Sequence, residues 1–439
     1  MRRERMPRWL TLALAAVGLL LLAIPGLWVF VSITAKPLHP NSETVPTVMH
    51  SPPPAKWTGV VEHGRRMVRE SVATQNLPGV SVAVGIDGDL VWAEGFGFAD
   101  LKTGVPVTPA HQFRIGTVSK VLTSAAAGLL LERGRLKLDD EIQTYVPAFP
   151  KKQWPVTLRQ LMGHTAGILS DGGDEGPLFT KHCERPVEAL PNFDRHSLLF
   201  QPGTEYRYSK YGWILVSTAI EAAADQPFLT FMRQQVFDPL DMSETLPDSA
   251  PVKAGEDFPL FNMVRELIFD PEARRNPTLD SPKKPVRDQV TSYFPRFASD
   301  PNYGLHLMRP LDYSCYAGAS VFVSTPSDLV RFGMAVNRGK LLQPATVELL
   351  QASQRLTSGE ETGYGLGWYV KTVTLAGKQT RVTGHDGDSL GGMVASLMTV
   401  PREGIVVAVT SNISYADTFS LAVKIAEAFA ERGQGPVIK

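Results

Sequence analysis

The stretch Thr117-Val118-Ser119-Lys120 opens a run of apolar and small residues that continues to Leu131. Positions 117 and 120 lie three residues apart, so on a helix their side chains share one face. A hydroxyl in the first turn lies at the positive end of the helix dipole, and a neutral lysine one turn later can take its proton. The spacing therefore predicts a nucleophile and its base, the pair that acyl transfer needs.

The same spacing of a hydroxyl and a lysine occurs in one other place, at Ser281 and Lys284. Pro282 and Pro285 argue against a buried helix there, so only the first pair has a suitable setting. An alternative interpretation of the first pair is that Thr117 caps the helix and Lys120 is a solvated residue of its first turn.

Four further motifs follow in the chain, namely Leu161 to Gly167, Tyr208-Ser209-Lys210, Tyr364 to Trp368, and Gly384-His385-Asp386-Gly387. In this order they resemble the serine β-lactamase and penicillin-binding-protein superfamily over residues 57–439. The resemblance is to its class C β-lactamase, D,D-peptidase and esterase branch, with mitochondrial β-lactamase-like relatives. It implies an α/β fold of the α+β type, with an antiparallel sheet flanked by helices, a mainly helical subdomain, and the site in the cleft between them.

The resemblance also implies roles for individual residues. Thr117 matches the acylated nucleophile, Lys120 its proton acceptor, and Tyr208 the second acid/base near the leaving group. His385 and Gly387 match the first and third residues of an edge-strand motif, often Lys-Thr-Gly, that frames the site. The backbone N–H groups of Thr117 and Asp388 would then form the oxyanion hole that stabilises the tetrahedral intermediate.

Two positions depart from the family pattern. The nucleophile is usually serine, and the methyl group of a threonine restricts the side-chain torsion and crowds the attack. Lys210 stands where relatives have an asparagine whose amide contacts the substrate. We hypothesise that this second cation helps to keep Lys120 neutral, because a nearby positive charge lowers the pKa of a lysine. The alternative is a solvated surface lysine.

The predicted function is a hydrolase that acts through an acyl-enzyme on amide or ester bonds of peptides, cell-wall fragments or small esters. Two alternatives remain open, a pseudoenzyme that binds such ligands without turnover and a self-assembling scaffold. The balance of 44 basic and 44 acidic side chains gives no sign of nucleic-acid binding. No motif calls for a metal or another cofactor, and the oligomeric state is left open.

The sequence holds one other nucleophile motif and one further histidine near the motifs. Gly387-Asp388-Ser389-Leu390-Gly391 fits the G-x-S-x-G elbow of α/β-hydrolases, but that fold needs a helix after the serine and a later histidine. The run from Met393 to Val400 is typical of a strand, and the last histidine is His385. His164 is interpreted as ordering the turn after its helix, without a catalytic role.

The N-terminus predicts a membrane anchor. Residues 10–35 carry no charge and are numerous enough to cross a bilayer core. Arginines are concentrated in residues 1–9, which the positive-inside rule places in the cytoplasm. We therefore expect a single-pass inner-membrane protein with its catalytic domain, residues 57–439, on the periplasmic or extracytoplasmic side; a cleaved signal peptide is the alternative. Residues 36–56 hold six prolines and are predicted to form an extended linker.

Periodicity predicts the elements at both ends of the domain. They are a helix over Trp57–Thr74, a hairpin of Gly79–Ile86 and Leu90–Phe98 turning at Asp87-Gly88, a doubly covered strand over Ile405–Val409, and a helix over Asp417–Arg432. Residues 250–300 are interpreted as an insertion near the cleft or as a surface excursion. Cys183 and Cys315 either form a disulfide or remain two buried thiols.

Overall fold

The computed structural model describes residues 18–19, 22–23, 25–30, 32–169, 178, 181–248, 289–296, 299–308, 311–389 and 393–433. Within these residues the strands β1 to β13 are Thr47–Met49, Gly79–Ile86, Asp89–Asp100, Val105–Pro106, Phe113–Arg114, Leu246–Pro247, Tyr293–Pro295, Leu305–Leu307, Phe322–Ser324, Tyr369–Leu375, Lys378–Ser389, Met393–Val400 and Ile405–Ser411. The α-helices after residue 35, α1 to α9, are Thr58–Thr74, Ser119–Glu132, Leu158–Met162, Lys210–Ala224, Phe228–Met232, Ala317–Ser320, Pro326–Asn337, Pro344–Gln351 and Thr418–Gly433.

The main sheet is antiparallel and has the strand order β1-β3-β2-β13-β12-β11-β10, with the short β4 paired to β3. After the edge strand β1, the chain forms the predicted hairpin of β2 and β3. Asp87 and Gly88 at its turn have φ values of 50° and 96°, and two consecutive positive φ values are what a two-residue type I′ turn requires. The hairpin prediction is confirmed, and the first and last parts of the chain share one sheet because β2 pairs with β13.

Strand β13 shows why the sheet has a helical layer on each face. All seven of its residues are buried, and successive side chains of a strand point to opposite faces. Val406 and Ala408 join the core that also contains residues of α2 and α7, whereas Ile405, Val407 and Val409 join the core formed with α1 and α9. The continuous apolar run therefore does form the doubly covered strand that was expected.

Helix α2 connects the sheet to the helical part of the molecule. Its residues from Ser119 to Leu130 are all buried, and it packs against α4 and α6. The contact with α6 is close, since the Thr123 hydroxyl donates to the Gly318 carbonyl over 2.9 Å and a Cβ on Gly318 would lie 3.0 Å from Thr123 Cγ2. The N-terminal end of α2 adjoins β11, which creates the cleft.

The proline-rich segment 36–56 is not the unpacked linker that its composition predicted. Thr47–Met49 forms β1 and pairs with β3, with Thr47 opposite Phe96, and His39 and Val45 are buried. An edge strand tolerates neighbouring prolines, because one side of its backbone needs no partner within the sheet. The packed unit therefore begins before Trp57.

The prediction of a membrane-spanning helix finds no support in the described residues, none of which belong to a helix both long and apolar enough to cross a bilayer. Positions 10–17, 20, 21, 24 and 31 of the predicted anchor lie outside those residues. The same holds for positions 249–288, which include Ser281, Lys284 and most of the predicted insertion.

The two cysteines form a disulfide between Cys183 and Cys315, 132 positions apart in the chain. Of the two alternatives that the sequence left open, the structure has the bonded one. The bridge joins the segment before the 3-10 helix Pro186–Asn192 to the 3-10 turn Ser314–Tyr316, which leads directly into α6.

Candidate active site

Thr117 lies in a short 3-10 turn, Gly116–Val118, from which α2 continues at Ser119. Gly116 has a φ of 50°, a conformation that glycine adopts without steric cost. Thr117 is 4% exposed and Lys120 is completely buried. The interpretation of Lys120 as a solvated first-turn residue is therefore wrong, and a buried amine requires a polar partner.

That partner is Tyr208. The Lys120 amine is hydrogen-bonded to the Tyr208 hydroxyl, and its Nζ lies 4.0 Å from the centroid of the phenol ring. Tyr208 immediately precedes Ser209, the N-cap residue of α4. The Ser209 hydroxyl accepts the Gly212 N–H over 3.2 Å. Two residues 88 positions apart thus meet beside the turn that carries Thr117.

Strand β11 forms the opposite wall. The Thr117 hydroxyl donates to the carbonyl of Asp386 on this strand over 3.0 Å. A Cβ on Gly387 would lie 2.4 Å from the Ile115 carbonyl oxygen and 2.9 Å from the Thr117 amide nitrogen, so the absence of a side chain permits this approach. Asp388 follows on the same strand, opposite Val394. The two amides expected to form the oxyanion hole thus belong to adjoining segments, and their role stays a prediction.

His385 lies at the start of the cleft-facing part of β11 and is buried, as is Tyr364. Its Nδ1 lies 2.7 Å from the Asp386 carbonyl and its Nε2 lies 2.9 Å from the Tyr364 hydroxyl. Because a carbonyl only accepts, Nδ1 carries the proton and Nε2 accepts from the phenol. Burial, and after it the positive charge of Lys120, hold the pKa of His385 well below 6.5. The histidine is therefore neutral near pH 7.

Lys210 is the first residue of α4 and is only 9% exposed. It is therefore not a solvated surface lysine. Its Nζ lies 5.8 Å from the centroid of the Tyr316 ring, and its position in the first turn sets a cation at the positive end of a helix dipole. The hypothesis that it helps to keep Lys120 neutral stays a prediction.

Two site features escaped the sequence interpretation. The ring of His164 lies 4.3 Å from that of Tyr208 and 4.9 Å from that of Tyr364, between centroids, so this histidine belongs to the site rather than only to a turn. Lys371 on β10 pairs with Asp386 on β11 at 2.9 Å. Burial raises the pKa of the Asp386 carboxyl, and the Lys371 charge opposes that rise.

The serine elbow has no support in this architecture. Ser389 ends strand β11, and the next described element is strand β12, which begins at Met393. A nucleophile elbow needs a strand followed by a helix. Among the described residues, no group of three or more His, Cys, Asp or Glu side chains is arranged to hold a metal ion.

Comparisons with known proteins identify the family. The profile of the Beta-lactamase family matches residues 65–430. The chain is 25% identical over 501 aligned residues to the mitochondrial serine beta-lactamase-like protein LACTB of Mus musculus, covering 89% of this chain and 84% of that protein. It is also 25% identical to penicillin-binding protein 4* of Bacillus subtilis (strain 168) over 304 residues, covering 68% and 60% of the two chains.

Solved structures share the fold. The octameric penicillin-binding protein homologue from Pyrococcus abyssi superposes with a TM-score of 0.61 at 23% identity, covering 83% of this chain and 76% of that chain. The D-amino acid amidase from Ochrobactrum anthropi SV3 gives a TM-score of 0.62 at 21% identity, covering 86% and 98%. Because the family profile spans most of the sequence, this chain belongs to the Beta-lactamase family.

Proposed function

We propose that this chain is an acyl-enzyme hydrolase that cleaves amide or ester bonds of small molecules or peptides, with Thr117 as its nucleophile. The observation that carries the proposal is the fully buried Lys120, which is hydrogen-bonded to Tyr208 one helical turn from the Thr117 hydroxyl. A buried amine and a phenol in contact can move a proton between a nucleophile and a leaving group. The names of the relatives, which include penicillin-binding proteins and an amidase, support the substrate class.

In the proposed reaction, the Thr117 oxygen forms a bond to the substrate carbonyl carbon while its proton passes to Lys120. The carbonyl oxygen becomes negative and is stabilised by the amides of Thr117 and Asp388; losing one such donor typically costs about 3 to 4 kcal/mol. The bond to the leaving group then breaks as Tyr208 gives its hydroxyl proton to the departing nitrogen or oxygen, and Tyr208 takes a replacement proton from Lys120, which becomes neutral again. A water molecule then bonds to the acyl carbon while its proton passes to the Lys120–Tyr208 pair; the bond to the Thr117 oxygen breaks, that oxygen takes the proton back, and the acid is released.

The threonine makes this site slower than a serine would. In the structure its hydroxyl donates to the Asp386 carbonyl, so the side chain must release that bond before Lys120 can take the proton. The methyl group limits the accessible χ1 rotamers and occupies space on the attack side. We propose that Lys210 and His385, which border the cleft, contact the remainder of the substrate.

Covalent labelling tests the proposal directly. The purified protein is incubated with a fluorophosphonate and, separately, with a fluorescent penicillin, and the adduct is located by mass spectrometry. We expect an adduct on Thr117 in the wild type and none in Thr117→Ala, while Thr117→Ser should react about 10 to 100 times faster because the methyl group no longer restricts attack. Absence of both an adduct and ester hydrolysis would refute the proposal and favour a ligand-binding cleft without turnover.

We also propose that residues 10–35 anchor the protein and that the catalytic domain is extracytoplasmic. Large apolar side chains are exposed on the described helical residues of this segment, including Leu19, Leu22 and Ile33. The Cys183–Cys315 disulfide is typical of an oxidising compartment. Protease added to intact spheroplasts should digest the domain, and carbonate washing should leave the protein in the membrane fraction. Protection from protease, or release by carbonate, would contradict the anchored arrangement.

A further inference from the structure

One residue, His164, contacts the segment that carries Tyr208 on both sides of that residue. Its carbonyl oxygen accepts the Arg207 N–H over 2.9 Å, and its ring Nδ1 accepts the Ser209 N–H over 3.1 Å. Its ring lies against the ring of Tyr208, with centroids 4.3 Å apart and planes inclined by 33°. The backbone before and after Tyr208 and the face of its phenol therefore all rest on His164.

The conformation of His164 is costly for the fold. Its φ is 60°, a left-handed conformation that is uncommon for residues other than glycine, although asparagine, aspartate and histidine adopt it more often than the rest. It is 2% exposed, and its Nε2 has no hydrogen-bond partner among the described residues. Strain and an unsatisfied buried polar group both oppose folding. A turn alone could be made by glycine or asparagine at lower cost, so a turn-ordering role does not account for the imidazole.

The polar and titratable groups around His164 come from several elements. They are Lys120 of α2, Tyr206 and Tyr208 of the loop before α4, Tyr364 of the loop before β10, and His385 of β11. Because the Ser209 N–H donates to Nδ1, the neutral ring carries its proton on Nε2. Burial, followed by the charges of Lys120 and His385, holds the pKa of His164 well below 6.5. A neutral ring can lie beside Lys120 without adding a like charge.

We propose that His164 is a positioning residue for Tyr208, which keeps the phenol in contact with the Lys120 amine during proton transfer. The inference rests on the proposed function, because it assigns a task to Tyr208. It differs from a stability role in that the effect of His164 should be transmitted through the Lys120–Tyr208 pair. Its loss should therefore change the proton-transfer step rather than only the fraction of folded protein.

The test compares His164→Asn with His39→Asn. Asparagine tolerates the left-handed backbone, and its Oδ1 can still accept the Ser209 N–H, so the change removes chiefly the ring. His39 is a matched control, since it is also buried, stacks on Phe98 at 5.8 Å, and has a pKa lowered by burial. We expect His164→Asn to lower kcat/KM for a chromogenic ester about 100-fold, as for a displacement of about 1 Å, and His39→Asn to stay within about twofold.

The pH profile separates positioning from stability. With the ring gone, water can reach Lys120, so the acidic limb of the kcat/KM profile should move to higher pH in His164→Asn and stay in place in His39→Asn. In a Tyr208→Phe background the same change should cost much less than in the wild type, because the residue through which it acts is absent. Equal profiles for the two histidine variants, or additive losses, would overturn the inference.

Crystal structures of the wild type and His164→Asn provide a readout that does not depend on turnover. If the wild type hydrolyses nothing, the proposed function fails, while displacement of the Tyr208 hydroxyl from Lys120 in the variant would still show positioning. An unmoved phenol would overturn the inference whatever the activity. If His164→Asn does not fold, His164→Gly, which also tolerates the left-handed backbone, replaces it, and failure of both to fold would show a structural role and count against positioning.

Discussion

Gly387 allows the sharpest test of how β11 packs against the turn that carries Thr117. In Gly387→Ala the added methyl group would lie 2.4 Å from the Ile115 carbonyl oxygen, 2.9 Å from the Thr117 amide nitrogen and 3.2 Å from that of Val118. All three neighbours are backbone atoms of the turn that carries Thr117 or of Ile115, the residue just before it. They cannot move aside by a change of rotamer, so the strand and the turn must separate.

The size of the separation follows from these distances. Ordinary van der Waals contact begins at 3.4 Å, so β11 must withdraw from the Ile115 carbonyl by about 1 Å. A displacement of about 1 Å at a reacting centre costs on the order of a hundredfold in rate, equivalent to about 2.7 kcal/mol of transition-state stabilisation. Overpacking should also lower the free energy of unfolding by about 1 to 3 kcal/mol.

The assay measures the second-order rate of Thr117 labelling by a fluorophosphonate, together with urea denaturation. Gly85→Ala on strand β2 of the same sheet is the matched control. Its methyl group would lie 2.4 Å from Met334 Sδ and 2.6 Å from Val330 Cγ1 of helix α7, in contact with side chains rather than with the turn that carries Thr117. We expect the control to lose stability while its labelling rate stays within about twofold. Wild-type labelling in folded Gly387→Ala, or an equal loss in the control, would refute the reasoning.

Three predictions concern stability, each measured as the free energy of unfolding in urea. Cys183→Ser should lower it by up to about 5 kcal/mol, as chain entropy gives for a loop of 132 residues; unchanged stability would contradict this. Arg114→Met should cost about 3 to 5 kcal/mol, since it strands the buried Asp248 carboxylate 2.6 Å away, and Arg114→Met with Asp248→Leu should cost less. The native pKa values of His164 and His385 lie below 6.5, so the unfolded chain binds more protons beneath that pH. Stability should be complete above about pH 6.5 and fall by up to about 2.7 kcal/mol per unit below it, and a flat profile from pH 7.5 to 5.5 would exclude neutral native histidines.

Local sequence patterns predicted the parts of the fold that depend on residues close together in the chain. The turn at Asp87-Gly88 needs two positive φ values, and the residue types alone indicate it. The uninterrupted apolar run from Ile405 requires cover on both faces, which the two cores supply. The spacing of Thr117 and Lys120 placed both at one helix end because helical geometry depends only on sequence distance.

Long-range pairing explains what the sequence left out. β1 can pair with β3 because the edge of β3 at Phe96 offers backbone groups to a further strand. The proline-rich segment that contains β1 carries no sequence pattern that indicates this edge. Lys371 meets Asp386 only through the register of β10 and β11, in which Thr372 is opposite Arg381. His164 looks like any turn residue after a short helix, and its contact with Ser209 spans 45 positions.

The same long-range contacts determine how the proposed chemistry is arranged. Lys120 is hydrogen-bonded to Tyr208 and lies near His164 and His385, and burial keeps both histidines neutral. Burial also raises the pKa of Tyr364, whose hydroxyl is hydrogen-bonded to His385, well above 10. Neutral surroundings of low polarity disfavour any additional charge. A proton leaving Thr117 is therefore best accommodated where a second neutral group shares it, which is the contact between Lys120 and Tyr208. Spacing predicted the proposed nucleophile and base, but only tertiary packing supplies the buried surroundings of low polarity in which a lysine can act as a base.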